Sequence, residues 1–319
     1  MSPDKSFKQS ELSVVVPLFN EEAIISELIQ KLNDACMTVT DNYELVIVND
    51  GSKDRTLSLL IELSLNFPAL TIVDLSRNFG HMHAVTAGLL NASGKAVVVM
   101  DGDLQDPPEL IPELFAKWQN GAEVVLANRT IRGEGAIQKV FTKLFYWTIG
   151  RISSCTIPKQ VGTFCLIDSR VAKAINEMPE RVRFFAGLRA WTGYRNETVI
   201  YDRPCRKNGN SKVGFWGQAK LAKNGIVSFS NWPLLWLARF SLLTSLLLFF
   251  FGLTIVGIKL FSNLAIPGWA STMVLIGTVA SMNSIVFAVF SEYLAVIFEE
   301  IKQRPHFLQS RIYRNGKAV

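Results

Sequence analysis

The sequence predicts an α/β domain built on a largely parallel sheet, followed by a helical hairpin that crosses a membrane. Short β-branched runs alternate with amphipathic stretches from Leu12 to about Asn128, apolar residues concentrate after Asn231, and basic residues gather beyond Ile301. Strands alternating with helices at this spacing build parallel sheets with crossover helices. A chain of 319 residues has room for one such domain and a smaller appendage.

The expected strands are Ser13–Val16, Glu44–Val48, Thr71–Val73, Ala96–Met100 and Glu123–Leu126. Between them lie expected helices over Glu21–Cys36, Asp54–Asn66, His81–Asn91 and Pro108–Gln119, the last opening on prolines that suit a first helical turn. Residues 135–152 set Ile137, Val140, Phe141, Leu144, Phe145, Ile149 and Ile152 near helical spacing, with Lys139, Lys143 and Arg151 elsewhere on the wheel. Residues 212–228 repeat the pattern with Val213, Trp216, Ala219 and Ile226 against Lys212, Lys220 and Lys223. Both read as basic amphipathic helices, lying at a membrane surface or covering the sheet.

Two apolar segments follow, Phe240–Ile258 and Leu264–Ser291, each long enough for the ~20 residues that span a bilayer. The turn between them, around Asn263, Pro267 and Gly268, carries no charge, whereas the tail carries Lys302, Arg304, Arg311, Arg314 and Lys317. The positive-inside bias then puts both termini in the cytoplasm. The expected division is a cytoplasmic α/β domain over 1–230, a transmembrane hairpin over 231–300 and a basic cytoplasmic tail over 301–319.

Composition agrees. The chain is 49% hydrophobic with mean hydropathy +0.23, high for a soluble enzyme. The charge of +6, from 33 basic and 27 acidic residues without a long run, does not favour a nucleic-acid partner. Cys36, Cys155, Cys165 and Cys205 show no metal-ligand spacing and read as reduced thiols. The polar start MSPDKSFKQSEL lacks the apolar core of a secretory signal.

The chemistry gathers where strands end. The fourth strand runs into DGDLQDPPE, which puts Asp101 and Asp103 on a loop at the carboxyl edge of the sheet, where ligands of such folds bind. Two carboxylates one residue apart can share a hard divalent cation that bridges diphosphate oxygens, and Gln105 is near enough to add an oxygen. The first strand ends in SVVVPLFNEE, so Pro17, Phe19, Asn20 and Glu21 form a second loop at that edge, and the second ends in VIVNDGSKDRT, which adds Asp50. A carboxylate there can accept from a nucleobase or ribose, and Gly51 permits the turn that presents it. Each loop alone would pass for a helix cap; the three converging point to function.

VVVPLFNEE, VNDGSKDRT, RNFGH, MDGDLQDPPE and RKNGNSK together resemble, in order and spacing, the family 2 glycosyltransferases with a GT-A fold. The resemblance covers about residues 12–230 and is closest to the polyisoprenyl-phosphate branch, which includes the bactoprenol glucosyltransferases and the dolichyl-phosphate mannose synthases. It implies a Rossmann-like nucleotide-diphospho-sugar transferase domain with interface helices and two C-terminal transmembrane helices. It also implies that Asp50 holds the base, Asp101 lies by the ribose and diphosphate, and Asp103 with Gln105 contacts Mg²⁺ or Mn²⁺. The motif RxxGxSK falls on Arg206, Gly209, Ser211 and Lys212, although Val213 stands where an aromatic is usual. With Arg203 and Arg129 these residues would hold lipid-phosphate or diphosphate oxygens; the alternative is a juxtamembrane basic loop drawn to anionic lipid.

Many family members carry a general-base carboxylate on the next loop, where this chain reads KQVGTFCLIDSR with Gly162 and Thr163. A phosphate monoester acceptor is mostly dianionic at neutral pH, its second pKa being ~6, and attacks without a base. Asp168 reads as structural, His81 and His83 as helix-start side chains that either reach a ligand or hydrogen-bond locally, and Arg181, Arg183, Arg189 and Trp191 as side chains that either face the acceptor or serve the surface. The resulting expectation is inverting transfer of a hexose, glucose from UDP-glucose first, to undecaprenyl phosphate. GDP-mannose-dependent transfer and a non-catalytic membrane scaffold are the alternatives. Partners would be a nucleotide sugar, a prenyl phosphate and the membrane, with a homo-oligomer such as a tetramer compatible with the resemblance.

Overall fold

The computed structural model describes residues 10–130, 161–181, 183–202, 237–244 and 268–319, with residues 246, 247, 250, 251, 254 and 261. The expected interface helices, the uncharged turn before Gly268, most of the first apolar segment, and Arg203, Arg206, Ser211 and Lys212 lie outside the described residues. The chain divides into two compact units, one comprising Met1–Gly150, Cys155–Ala219 and Arg304–Val319, the other Arg151–Ser154 and Lys220–Gln303.

In the first unit, β1 (Leu12–Leu18), α1 (Ile25–Met37), β2 (Tyr43–Asn49), α2 (Thr56–Leu63), β3 (Leu70–Leu75), α3 (His81–Asn91) and β4 (Ala96–Val99) alternate as the periodicity requires. A 3₁₀ turn, Pro108–Leu110, leads into α4 (Ile111–Gln119), and β5 (Val124–Thr130) follows. After these come β6 (Val161–Asp168), α5 (Ser169–Glu177), α6 (Phe185–Trp191) and β7 (Asn196–Asp202). The strands form a mixed sheet ordered β7-β5-β6-β4-β1-β2-β3, which two C-terminal strands, β8 (Gln309–Arg314) and β9 (Lys317–Ala318), extend beyond β3.

Strands β4, β1, β2 and β3 run parallel. Their runs are continuously apolar, not alternating, because both faces are covered: Val14, Val15, Val16, Leu45, Val46 and Ile47 are all fully buried. The connections run one way from β1 to β3 and then return to place β4 on the other side of β1. That reversal opens a crevice at the carboxyl ends of β1 and β4.

Three expectations change. KQVGTFCLIDSR is not a loop: Val161–Asp168 is a strand inserted antiparallel between β4 and β5, because Phe164–Ile167 fill the sheet's interior. Gln309–Arg314 is more than a tail, since it pairs antiparallel with β3, Ile72 opposite Tyr313. Arg183 and Arg189 are buried rather than ligand-facing or superficial. The Arg183 guanidinium donates to Met178 O at 2.9 Å and Ile175 O at 3.0 Å, a set of acceptors that makes burial tolerable and ties α5 to the segment before α6. Asp168 does prove structural: it caps α5 by accepting the Arg170 N–H and also receives the Trp118 indole N–H at 3.0 Å. Burial pushes the Cys36 thiol up to about 12 and raises Cys165 as well, so both stay protonated.

In the second unit, residues 237–244 are helical and α7 spans Trp269–Ile301. Within α7, Leu275–Ile301 is the one helix among the described residues long and apolar enough to cross a membrane. Two such helices were expected, and the second was expected over Leu264–Ser291. The described helix instead starts at Trp269, after Gly268, and runs on to Ile301. Its large apolar side chains, among them Ile276, Ile285, Phe287, Phe290 and Phe298, are exposed.

Candidate active site

At the crevice the loops after β1 and β2 are stitched together by backbone-to-side-chain bonds. The Asn20 N–H donates to Ser52 Oγ at 3.0 Å, the Lys53 N–H to Asn20 Oδ1 at 2.9 Å, and the Glu21 N–H to Thr56 Oγ1 at 3.0 Å. Asn20 takes φ +53°, a left-handed conformation that its short polar side chain tolerates. Pro17 is buried in β1, while Phe19 and Asn20 are exposed at the mouth. The turn lies where an aromatic ring and an amide can meet a base.

Asp50 fastens this pair of loops to the one after β3. It is 3% exposed, and its two carboxylate oxygens accept the Phe79 N–H at 2.8 Å and the Gly80 N–H at 3.0 Å. Burial pushes its pKa up, opposed by those two N–H groups and by His81 and His83. Gly51 makes the crossing possible: at φ +65° a Cβ would lie 2.3 Å from the Arg77 carbonyl carbon. The carboxylate thus holds the Phe79–Gly80 turn, from which α3 starts.

The fourth loop, Asp101–Asp106, sits against the end of β1. A Cβ on Gly102 would lie 2.1 Å from Leu18 Cδ2 and 3.2 Å from Pro17 O, so the loop backbone packs directly on that strand. Leu104 is left-handed at φ +57°, a conformation that costs about 1–3 kcal/mol in a residue with a side chain and persists only where surroundings hold it. The Gln105 N–H donates to Asp103 Oδ1 at 3.1 Å, fixing the turn that brings the Asp103 carboxylate and Gln105 together. Asp106, 4% exposed, accepts the Tyr201 hydroxyl at 2.7 Å. His81, at the start of α3, places Nε2 3.3 Å from Asp101 Oδ1.

The structure therefore brings Pro17, Phe19, Asn20, Glu21, Asp50, Asp101, Asp103 and Gln105 to one sheet edge. Arg129 lies on β5, opposite Tyr201 of β7, separated from β4 by β6. Gly162 and Thr163 open β6 at the same edge, Val161 standing opposite Asn128. Asp106 and Tyr201 were not anticipated; Asp106 lies inside the acidic motif, but nothing local distinguishes a buried acceptor from a ligand-facing carboxylate.

Among the described residues no group of three His, Cys, Asp or Glu is arranged to hold a metal alone. Asp103 and Gln105 instead offer a pair of hard oxygens on an ordered loop. That donor set fits a Mg²⁺-like ion whose remaining positions are filled by substrate phosphates and water.

Such a mixed sheet, with acidic loops at its topological switch point, has the α/β architecture of a GT-A-like glycosyltransferase fold. The sequence profile of Glycosyl transferase family 2 matches residues 13–175, and the chain belongs to that family. It is 41% identical over 305 residues to an uncharacterized glycosyltransferase of Synechocystis, covering 95% of this chain and 96% of that one. It is 36% identical over 308 residues to the SfII prophage-derived bactoprenol glucosyl transferase of Shigella flexneri, covering 96% and 99%. It is 35% identical over 303 residues to the prophage bactoprenol glucosyl transferase homolog of Escherichia coli K12, covering 95% and 99%.

Proposed function

We propose that the chain is an inverting transferase that moves a hexose, glucose from UDP-glucose in the first instance, onto a polyisoprenyl phosphate of the undecaprenyl type. The observation that carries this reading is the convergence of the Pro17–Glu21, Asp50 and Asp101–Asp106 loops at one edge. The acceptor class is supported by the two bactoprenol glucosyl transferase relatives, matched over nearly their whole length.

In this reading Phe19, Asn20 and Glu21 line the base, with Asp50 beneath it, and Asp101 with His81 faces the ribose and diphosphate. Asp103 and Gln105 hold Mg²⁺ or Mn²⁺, which when bound neutralises charge on the departing diphosphate. Arg129, Arg203, Arg206, Ser211 and Lys212 grip phosphate oxygens of acceptor or donor. A phosphate oxygen of the lipid attacks the anomeric carbon, the bond to the diphosphate breaks, and the nucleoside diphosphate leaves with that electron pair. The configuration inverts. No protein base is needed, because the acceptor is already ionised at neutral pH; Gly162 and Thr163, at the edge where a base would stand, are in keeping with this.

The sheet also bears on the membrane arrangement proposed here. Strands β1–β7 within residues 12–202 and strands β8 and β9 within 309–318 belong to one sheet, so the chain on either side of the apolar stretch belongs to the same domain. An even number of crossings satisfies that, supporting a two-helix hairpin with the catalytic domain and tail in the cytoplasm.

The test is a panel of radiolabelled UDP- and GDP-sugars given to membranes carrying the wild-type chain or Asp103→Ala, followed by solvent extraction. One sugar from UDP-glucose should reach the lipid fraction with the wild type and not with the variant. Label from GDP-mannose instead would overturn the donor assignment, and equal transfer by Asp103→Ala would overturn the site.

A further inference from the structure

Asp106 and Tyr201 stand 95 positions apart in sequence, yet their side chains meet in a 2.7 Å hydrogen bond. Asp106 closes the loop that carries Asp103 and Gln105, and its second carboxylate oxygen faces the backbone N–H of Asp101 at 3.4 Å. Tyr201 lies near the end of β7, directly opposite Arg129, in the strand that feeds the segment carrying Arg203, Arg206 and Lys212. Both residues are buried, and the tyrosine ring is held edge-on by Phe164 with centroids 5.9 Å apart.

A buried carboxylate is unfavourable unless its oxygens receive donors. Here the donors come from the two halves of the sheet: a backbone N–H from the β4 loop and a phenol from β7. The loop also needs an external hold, since Leu104 is left-handed and such a conformation persists only where its surroundings fix it. We propose that the Asp106–Tyr201 pair is a buried brace that positions the Asp103–Gln105 loop for the cation and registers it against the strand leading to the basic segment. These two are positioning residues, acting through the loop without touching substrate. The proposal rests on the metal-bearing role assigned above to Asp103 and Gln105.

Tyr201→Phe keeps the ring packing and removes only the hydroxyl; Asp106→Asn keeps the shape and removes the charge. The test uses the purified full chain and UDP as probe, with UDP binding followed across a Mn²⁺ titration and thermal unfolding recorded in parallel. Each variant should need about 3- to 10-fold more Mn²⁺ for half-maximal UDP binding, the scale of one lost buried hydrogen bond. The losses in the double variant should be less than additive, because the two single changes remove one shared bond. Identical Mn²⁺ titrations for wild type and both variants would overturn the brace, as would losses that follow only the folded fraction with an unchanged midpoint. If UDP binding to the wild type ignores Mn²⁺, the metal assignment itself fails, a result separable from the first because it appears without any substitution.

Discussion

Gly51→Ala is the sharpest perturbation of the loop framework. The added methyl would sit 2.3 Å from the Arg77 carbonyl carbon and 2.5 Å from the Asn78 nitrogen, both backbone atoms that no rotamer change can move aside. Overpacking of this kind costs about 1–3 kcal/mol. Holding alanine at φ +65° adds roughly 1–2 kcal/mol. Lower entropy of the unfolded chain returns about 0.4–1 kcal/mol. The net loss should be on the order of 3 kcal/mol, a large share of the ~5–15 kcal/mol that stabilises a typical domain. Arg77 and Asn78 directly precede the two N–H groups that Asp50 receives, so the strain falls on the turn that starts α3. Urea unfolding of the purified chain measures the first effect, and donor KM, expected to rise, measures the second. Gly162→Ala is the control, since no atom of the described residues lies within 4 Å of its Cβ position. A Gly51→Ala chain as stable as the control with unaltered donor KM would refute the reasoning.

Asp50→Asn replaces one of two acceptors by a donor that faces a backbone N–H, and should cost about 1–3 kcal/mol; hydrogen exchange at Phe79 and Gly80 should accelerate, and unchanged protection would contradict the role given to the carboxylate. His306 stacks near His83, with centroids 6.1 Å apart, and burial, then Arg183, Arg181 and His83, push its pKa down to about 4. The unfolded chain takes up that proton near pH 6.5 and the folded chain does not until about pH 4, so stability should fall as pH drops through this window. Full burial would make the loss ~3 kcal/mol, and solvent screening of this partly exposed ring reduces it to about 1–2 kcal/mol. His306→Gln should flatten that part of the stability profile, and a parallel profile would count against it. Ending the chain after Arg304 strips β8 from β3, together with the Gly316 N–H to Ser64 Oγ bond at 2.9 Å. It should cost on the order of 3 kcal/mol, at ~1 kcal/mol per bond, and leave an exposed edge that aggregates. Light scattering and urea unfolding indistinguishable from wild type would deny the strand its place.

The first five strands and α3 were legible because buried parallel strands write themselves as β-branched runs. Boundaries were less so: α1 begins at Ile25 and not Glu21, and the Glu21 and Glu22 N–H groups bond instead to Thr56 and Asp54 in the turn before it. Strand β6 escaped because an apolar run beside a glycine does not announce an antiparallel insertion, and β8 because its QSRIYR is basic, half exposed and paired with a strand more than 200 positions earlier. The same holds within the site. The acidic motifs named the loops, but which carboxylate faces the crevice and which is buried was decided by distant partners: Phe79 and Gly80 for Asp50, Tyr201 for Asp106. The buried arginines were misread for a similar reason, since guanidinium acceptors such as Ile175 O and Met178 O leave no mark in sequence.

The most direct measurement offers the purified full chain UDP-glucose with either undecaprenyl phosphate or undecaprenol, each in Mn²⁺ and in chelator, and follows lipid-soluble label over time. Transfer should occur with the phosphate in Mn²⁺ and collapse in the other three mixtures. Equal transfer in chelator, or a preference for the free alcohol, would contradict the assignment of Asp103 and Gln105 and of a base-free attack by an ionised lipid phosphate.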